Sequence, residues 1–180
     1  SGSLKINTFC LFINTQIMII KLSNKDTLNI GEFKLKCCIG KRGISKNKSE
    51  GDLRTPSGKF KLGNLYWRPD RVKKPKTKLF CKKIKKNMGW CNDSSSIYYN
   101  KEFKINKKIR HEKLYRYDRK YDLFILIKYN YTKTIKNKGS AIFLHLTKNY
   151  KPTAGCIAVS KKDFLILCKI IKKNSLLAIG

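Results

Sequence analysis

The segment FLHLTKNYKPTAGCIAVS, residues 143–160, holds two short apolar runs joined by a polar loop. Each run is too short for a helix, and the loop contains proline, glycine and asparagine, so we predict a strand, a loop and a second strand. A connection of this length can place the two strands side by side. The segment therefore predicts a mainly β fold in which His145 and Cys156 are neighbours.

Further β-type runs extend this pattern along the chain. The runs at 33–40 and 58–63 alternate lysine with apolar residues, which is typical of half-exposed strands. The run YDLFILIKY, residues 121–129, is almost continuously apolar and predicts a central strand. The other predicted strands are two within 9–22 with a turn at 14–15, and one each at 140–146, 156–160 and 175–180.

One helix is predicted, over residues 161–173. Ser160 is a candidate N-cap, Asp163 lies in the first turn, and apolar residues recur at helical spacing. The long segment 40–58 has no predicted element, and loops of this length in compact domains are often functional. No internal repeat or linker is visible, so we predict a single domain over residues 1–180.

The formal net charge is +31, from 42 Lys and Arg against 11 Asp and Glu. Such an excess faces solvent and attracts anions, which include nucleic acid, anionic lipid and anionic cell-wall polymers. The lysines are spread along the whole chain, without the aromatic pattern of RNA-binding modules or the spacing of zinc fingers. A lysine- and asparagine-rich composition is also what an AT-rich genome produces, so the charge alone identifies no partner.

Seven cysteines occur without any Cys-x-x-Cys pair, which gives little support to a structural zinc site or a thioredoxin-like motif. The odd number leaves at least one thiol free even when the others pair. The cysteines are Cys10, Cys37, Cys38, Cys81, Cys91, Cys156 and Cys168.

The N-terminal region contains no predicted transmembrane segment. The longest apolar stretch, residues 9–20, is interrupted by Asn14, Thr15 and Gln16 and is too short to span a membrane. The opening Ser1-Gly2-Ser3 resembles a cloning scar, which would have replaced the native N-terminus together with any export signal.

Cys156 and His145 have the residue types of a nucleophile and its base. Only the thiolate is a strong nucleophile, so a catalytic cysteine needs a neighbouring group that takes its proton. Two interpretations are open for the pair: an acyl-transfer site, or a buried thiol beside a core histidine. Gly155 allows the backbone to approach a substrate closely, and the N–H groups around it can face an oxyanion. The other histidine, His111, lies in a charged segment and is interpreted as a surface residue.

These residues resemble the active-site signature of the L,D-transpeptidase catalytic domain, the YkuD-type family. The family pattern is a histidine on one strand, a variable loop, and then Ser/Thr-His-Gly-Cys-aliphatic-Arg. This chain has His145 followed by TAGCIA at 153–158, so Ala154 and Ala158 replace the second histidine and the arginine. The resemblance is to a branch with a Thr-x-Gly-Cys-aliphatic-Ala form, in which the Cys156–His145 pair is kept.

The resemblance extends over about residues 35–170, because five further blocks of that branch follow one another in the same order. These blocks are CCIGKRG (37–43), KSEGDLRTPSG (48–58), YWRPDR (66–71), GWCNDSSSIYYN (89–100) and GSAIFLH (139–145).

The resemblance implies a YkuD-like β-sandwich and an enzyme that joins peptidoglycan stem peptides, without a cofactor or metal. Cys156 would form a thioester with the donor stem, and His145 would act as general base and acid. The backbone carbonyl of Leu146 would orient His145, and the N–H groups of Gly155 and Cys156 would hold the oxyanion. The family also implies a periplasmic or cell-envelope location in a bacterium, sensitivity to carbapenems, a role in cell shape, and no nucleic-acid partner.

Other residues in the blocks are candidates for substrate binding. Arg68 and Arg71 could bind a carboxylate, or could fix their loop by pairing with Asp70 or Asp52. The remaining candidates are Trp90, Asn100 and Thr153, and the alternative for the tryptophan is a core position. Cys38 and Cys91 lie inside blocks and could pair as a disulfide, which sequence alone does not establish.

Two alternatives to transpeptidation remain open. An L,D-carboxypeptidase or another peptidoglycan hydrolase would share the thioester and differ only in the use of water. A basic polyanion-binding module would keep an inert thiol and would bind with a steep salt dependence. The sequence does not indicate the donor position in the stem, the acceptor or the oligomeric state.

Overall fold

The computed structural model describes residues 17–180, which form fourteen strands and one α-helix. Cys10, the Ser-Gly-Ser opening, and the first strand and the turn predicted within 9–22 lie outside the described residues. Among residues 17–180, no helix has the length and hydropathy needed to cross a membrane. The elements are β1 (Ile19–Ser23), β2 (Thr27–Ile30), β3 (Phe33–Cys38), β4 (Ile44–Ser45), β5 (Thr55–Pro56), β6 (Gly58–Trp67), β7 (Cys81–Lys83), β8 (Met88–Cys91), β9 (Glu102–Lys104), β10 (His111–Lys113), β11 (Leu123–Ile127), β12 (Phe143–Leu146), β13 (Ile157–Val159), α1 (Lys161–Ile170) and β14 (Leu176–Ile179).

The main sheet closes on itself. Its strands pair in the order β11-β12-β13-β3-β2-β1-β14-β6-β7, and β6 also pairs with β11. This closure is possible because β6 is ten residues long. Its first half pairs with β14, and its second half pairs with β11. The sheets curl into a barrel-like sandwich, which confirms the predicted mainly β fold.

The central strands are buried on both faces, as the nearly continuous apolar run at 121–129 predicts. All five residues of β11 are buried, and the strand pairs with β12 on one side and β6 on the other. Because side chains alternate along a strand, β11 and β12 contribute to two separate cores. Leu144 and Leu146 face the first core with the helix, whereas Phe143 faces a second, aromatic core.

Helix α1 begins where the sequence predicts. The Ser160 hydroxyl accepts a hydrogen bond from the Asp163 N–H at 3.1 Å, which confirms the N-cap. The helix ends at Ile170 rather than at 173, because Ile171 adopts an extended conformation. The buried residues Phe164, Leu167 and Cys168 pack into the first core, and β14 follows as the predicted closing strand.

A small three-stranded sheet, in the order β10-β8-β9, was not predicted. Its middle strand β8 is fully buried and carries Trp90 into the aromatic core. Its edge strand β10 contains His111, which is half-buried and lies edge-on to Phe103 rather than free on the surface. Glu112 follows on the same strand and faces the site described next.

Candidate active site

Strands β12 and β13 place His145 and Cys156 on one side of the sheet. The two strands are parallel, with Leu144 opposite Ile157 and His145 opposite Ala158. Cys156 therefore stands at the start of β13, beside Phe143, whose N–H donates to the thiol sulfur at 3.4 Å. The thiol in turn donates to the Ala141 carbonyl at 3.2 Å. His145 and Cys156 both line one cleft of about 340 Å³.

The imidazole of His145 is held in one orientation. Its Nδ1 lies 2.9 Å from the carbonyl oxygen of Leu146. That carbonyl can only accept a hydrogen bond, so Nδ1 carries the proton and Nε2 is the acceptor of the neutral ring. Burial, together with the charges of Lys120 and Arg116, lowers the pKa of His145 to about 4. The histidine is therefore neutral at pH 7 and able to take a proton.

The thiol of Cys156 is also neutral at rest. Burial raises its pKa to about 12, and the Glu112 carboxylate contributes in the same direction. The hydrogen bond from the Phe143 N–H and the positive charge of Lys48 lower the pKa of this thiol in opposition to burial. The pair is thus a thiol and an uncharged imidazole rather than a thiolate–imidazolium ion pair. Such a thiol reacts only when a base removes its proton as it attacks.

Gly155, just before the nucleophile, is fixed by the long loop 40–58. Its φ is +144°, and a Cβ on this residue would lie 2.8 Å from the carbonyl oxygen of Arg54. The Gly155 carbonyl accepts a hydrogen bond from the Thr55 hydroxyl at 2.9 Å, and that hydroxyl accepts from the Gly40 N–H at 2.9 Å. Thr55 is fully buried. The loop that sequence reasoning marked as functional therefore supports the nucleophile's backbone.

Thr153 closes the turn that carries Cys156. Its hydroxyl donates to the Cys156 carbonyl at 2.6 Å and accepts from the Gly155 N–H at 3.1 Å. Thr153 borders the cleft, so contact with a substrate stays a prediction. The Gly155 N–H, predicted as an oxyanion donor, is engaged with Thr153 in this structure. To stabilise an oxyanion, the Gly155 N–H has to share or release its hydrogen bond to the Thr153 hydroxyl.

Replacing Gly155 with alanine is expected to destabilise the fold by about 2–4 kcal/mol, because a positive φ and a close carbonyl both oppose a Cβ. Gly51→Ala is the matched control, since Gly51 also has a positive φ, of +73°, but no atom within 4 Å of an added Cβ. We expect the control to cost about 1 kcal/mol. Urea unfolding of both variants measures the difference, and equal losses would contradict the close approach to Arg54.

The two arginines predicted to bind substrate form ion pairs within the protein. Arg68, 2% exposed, contacts Asp70 through two bonds of 2.8 and 2.6 Å. Arg71 pairs with Asp122 at 2.9 Å, and not with Asp52, which pairs with Lys48. Both arginines also donate to the Arg116 carbonyl. This geometry matches the loop-fixing alternative, and it holds the segment 116–122 beside the cleft.

Trp90 and Asn100 lie in the core beneath the site rather than on the walls of the cleft. The Trp90 indole N–H donates to Asn100 Oδ1 at 2.9 Å, and the same oxygen accepts from the Ala141 N–H at 3.0 Å. Trp90 is fully buried, and Asn100 is 2% exposed. Asn100 thereby positions Ala141, the residue whose carbonyl accepts the Cys156 thiol proton. The core alternative for the tryptophan fits this arrangement.

Sequence reasoning missed Glu112 and Tyr121. Tyr121 is buried, its ring lies 5.3 Å from the imidazole of His145, and its hydroxyl donates to Glu112 Oε1 at 2.5 Å. Burial raises the pKa of the Glu112 carboxyl. Glu112 lies in the charged segment RHEKLYRYDRK, 110–120, and Tyr121 directly follows this segment. No periodicity in the segment distinguishes a buried side chain from exposed ones.

The cysteines are free thiols wherever the structure describes them, at positions 37, 38, 81, 91, 156 and 168. Cys38 lies on β3 opposite Ala158, whereas Cys91 lies on β8 in the small sheet. The pairing of Cys38 with Cys91 that the sequence left open is therefore not present.

Comparison with known proteins was consistent with this geometry. The YkuD family model, described as the L,D-transpeptidase catalytic domain, matches residues 13–179. No curated protein matches the chain significantly.

Solved structures with a similar fold are larger than this chain. The helical cell shape determining protein Pgp2 from Campylobacter jejuni is 16% identical, with a TM-score of 0.49, over 91% of this chain and 47% of that chain. Bdellovibrio bacteriovorus Bd1075 is 13% identical, with a TM-score of 0.47 and the same coverage of 91% and 47%. An L,D-transpeptidase from Mycobacterium smegmatis is 12% identical, with a TM-score of 0.39, over 91% and 58%.

The chain thus spans about half the length of these solved proteins. At such identities their activities do not transfer, and the assignment rests on the family model. Because that model covers nearly the whole chain, the protein belongs to the YkuD family, the L,D-transpeptidase catalytic domain.

Proposed function

We propose that the protein is a peptidoglycan L,D-transpeptidase that works through a thioester on Cys156. The observation that carries this proposal is the neutral Cys156 thiol in one cleft with a neutral His145, whose Nδ1 is fixed by the Leu146 carbonyl. Family membership supports the same chemistry.

In the first half-reaction, Nε2 of His145 takes the thiol proton as the sulfur attacks a carbonyl carbon of the donor stem peptide. The carbon–nitrogen bond breaks, His145 gives its proton to the departing amine, and a thioester remains on Cys156. In the second half-reaction, an amine of a neighbouring stem attacks the thioester carbon, and the thiol is released. The Cys156 N–H stays our prediction for an oxyanion donor.

The charge around the cleft supports a substrate that carries carboxylates. Arg116, Lys120, Lys148 and Lys151 border the cleft. Asp118, also at the border, is already paired with Arg116 at 2.6 Å. The lysines therefore leave a positive rim, which attracts the carboxylates of peptidoglycan stems. We therefore propose a periplasmic or cell-envelope location for the protein.

Hydrolysis is the second candidate, because a water molecule can replace the acceptor amine at the same thioester. Two cavities, of about 340 and about 200 Å³, are lined by Cys156, and both are large enough for water. The L,D-carboxypeptidase reaction and the cross-linking reaction then differ only in the second half-reaction.

The test is product analysis with defined stem peptides. Wild-type protein incubated with a donor and an acceptor stem is expected to form L,D-cross-linked dimers, detected by liquid chromatography and mass spectrometry of the products. Trimmed monomers without dimers would assign the hydrolase instead. If no acyl group appears on Cys156 with any stem peptide, the proposed function is wrong, and salt-dependent binding to polyanions becomes the next measurement.

A further inference from the structure

A large groove beside the small sheet adjoins the cleft that contains Cys156 and His145. This side groove is lined by residues 86, 87, 105, 113 and 115–118. Its volume is about 770 Å³, against about 340 Å³ for the cleft. Arg116 and Asp118 border both spaces, so a chain bound in the cleft can continue into the side groove.

The side groove contains a tyrosine ring that packs little against the fold. Tyr117 is 89% exposed, whereas the backbone that carries it is fixed. Arg71 donates to the carbonyls of Arg116 and Tyr117 at 3.1 and 3.4 Å, and Arg68 also donates to the Arg116 carbonyl, at 2.8 Å. An exposed ring on a fixed backbone can stack on a ligand with little loss of conformational freedom.

The unpaired charge of the side groove is positive. Lys86 and Lys113 are exposed, and neither forms an ion pair with any residue in 17–180. Arg116, in contrast, pairs with both Asp118 and Glu112. The two lysines therefore attract carboxylates of a ligand rather than carboxylates of the protein.

A further basic concavity continues the side groove at Asn87. Its volume is about 520 Å³, and Asn87 lines both spaces. Three exposed lysines on its wall, Lys83, Lys85 and Lys104, form no ion pair within the described part of the chain. The positive surface thus extends from the cleft through two adjoining concavities, which suits an elongated polymer better than a small molecule.

The concavity on another border of the cleft has its aromatic ring already occupied. Asn149 and Pro152 line this concavity and the cleft alike. The Nζ of Lys36 lies 4.9 Å from the ring centroid of Tyr150, so a cation of the protein covers one face of that ring. Tyr117 meets no such cation among the residues that the structure describes. The side groove is therefore the better match for a ligand that stacks.

We propose that the side groove binds the sugar strand of peptidoglycan next to the reacting stem, so that the enzyme prefers polymeric substrate to a free stem peptide. Peptidoglycan is a strand of linked amino sugars whose stem peptides carry carboxylates. The C–H face of a sugar ring packs on Tyr117, and carboxylates of neighbouring stems lie near Lys86 and Lys113. This inference rests on the proposed function and names the form of its substrate.

The experiment compares wild type with the triple variant Lys86→Gln, Lys113→Gln, Tyr117→Ala. One substrate is a soluble, uncross-linked sugar strand with tetrapeptide stems, and the other is the free tetrapeptide of the same sequence. Initial rates of release of the departing amine give kcat and KM for each substrate. This release belongs to the first half-reaction, so it is measured whether the thioester then passes to an amine or to water.

The matched control is the triple variant Lys76→Gln, Lys78→Gln, Phe80→Ala. These residues are also two exposed lysines and an exposed aromatic residue, and Phe80 is 67% exposed. None of them lines the side groove or the cleft. The control therefore removes the same charge and a similar ring from another part of the surface.

We expect the side-groove variant to raise KM for the strand by about tenfold, the combined effect of two exposed charge pairs and one stacked ring. Its kcat on the strand, and both constants for the free tetrapeptide, should stay within about twofold of wild type. The control should match wild type on both substrates. An unchanged KM for the strand, or an equal rise for the free tetrapeptide, would overturn the inference.

Binding of polyglutamate separates a sugar strand from other anionic occupants, because this polymer carries carboxylates without sugars. In a Cys156→Ala background, Tyr117→Ala should weaken binding of fluorescently labelled strands by about threefold to tenfold and leave binding of labelled polyglutamate unchanged. Equal losses for the two polymers, or no loss for the strand, would identify a general polyanion surface and reject the inference. Absence of amine release by wild type from either substrate would instead overturn the proposed function, while strand binding stays measurable.

Discussion

Replacing Cys156 with alanine is expected to abolish acylation and to lower turnover by at least about 10⁴-fold, because the nucleophile of a covalent mechanism has no substitute. The expected effect on folding is small, since alanine keeps the backbone and removes only the two hydrogen bonds of the sulfur, with the Phe143 N–H and the Ala141 carbonyl. The measurement is intact-protein mass spectrometry after incubation with a stem peptide and, separately, with a carbapenem. An adduct should form on wild type and be absent from Cys156→Ala.

Cys168→Ala is the matched control for this experiment. Burial raises the pKa of Cys168 to about 12, as it does for Cys156, but Cys168 lies on α1 in the first core. The two thiols are thus equally weak acids, and only one has a histidine in its cleft. Cys168→Ala should acylate like wild type. Full turnover in Cys156→Ala would reject the thioester mechanism altogether.

Substitution of His145 by glutamine is expected to slow acylation by about 10²–10⁴-fold, the usual contribution of a general base. The matched control is His111→Gln, because Nδ1 of His111 also lies near a backbone carbonyl, that of Ile109 at 2.7 Å, but outside the cleft. For wild type, the acylation rate should stay level from about pH 5 upward and fall as pH drops through about 4, where His145 becomes protonated. Stopped assays of adduct formation across this range measure the profile. A decline centred near pH 6.5 would show that the histidine is not held neutral by its burial.

The same lowered pKa links pH to stability. In the unfolded chain a histidine titrates near 6.5, whereas His145 in the fold titrates near 4. Between these values the unfolded state binds more protons, so stability falls as pH decreases from about 6.5 to about 4. Below pH 4 the full loss, about 3 kcal/mol, is reached. His145→Gln should lose this part of the pH dependence while keeping the rest.

The strands that carry Cys156 and His145, and the start of the helix that follows them, were predictable because their sequence patterns are strong. The apolar run at 121–129, the strand–loop–strand at 143–160 and the cap at Ser160 all have local signatures that tertiary structure preserved. The small sheet was not predicted, because β9 and β10 are three residues each and lie in lysine-rich segments. Short polar strands of this kind depend on pairing with a buried neighbour, here β8, which a local pattern does not reveal.

The candidate site likewise contains residues that were predictable from the sequence and residues that were not. Cys156 and His145 were found from residue type and spacing, since the chemistry needs those types. Tyr121 and Thr55 were missed because they reach the site through residues distant in the chain, His145 and Gly155, and Glu112 was missed because nothing in its charged segment marks it as buried. Conversely, Arg68 looked like a substrate ligand because of its charge, whereas its partner Asp70 stands only two residues away. Charge in a sequence does not indicate whether a partner within the fold already satisfies it.

The burial of β12 on both faces has a consequence for when activity is lost. Backbone amides between two packed cores exchange their hydrogens with water only when a large part of the structure opens. His145 lies on such a strand, and Cys156 adjoins another, β13. The pair is therefore not part of a segment that unfolds locally while the main sheet stays folded. The nucleophile and its base therefore stay aligned until the main sheet unfolds cooperatively.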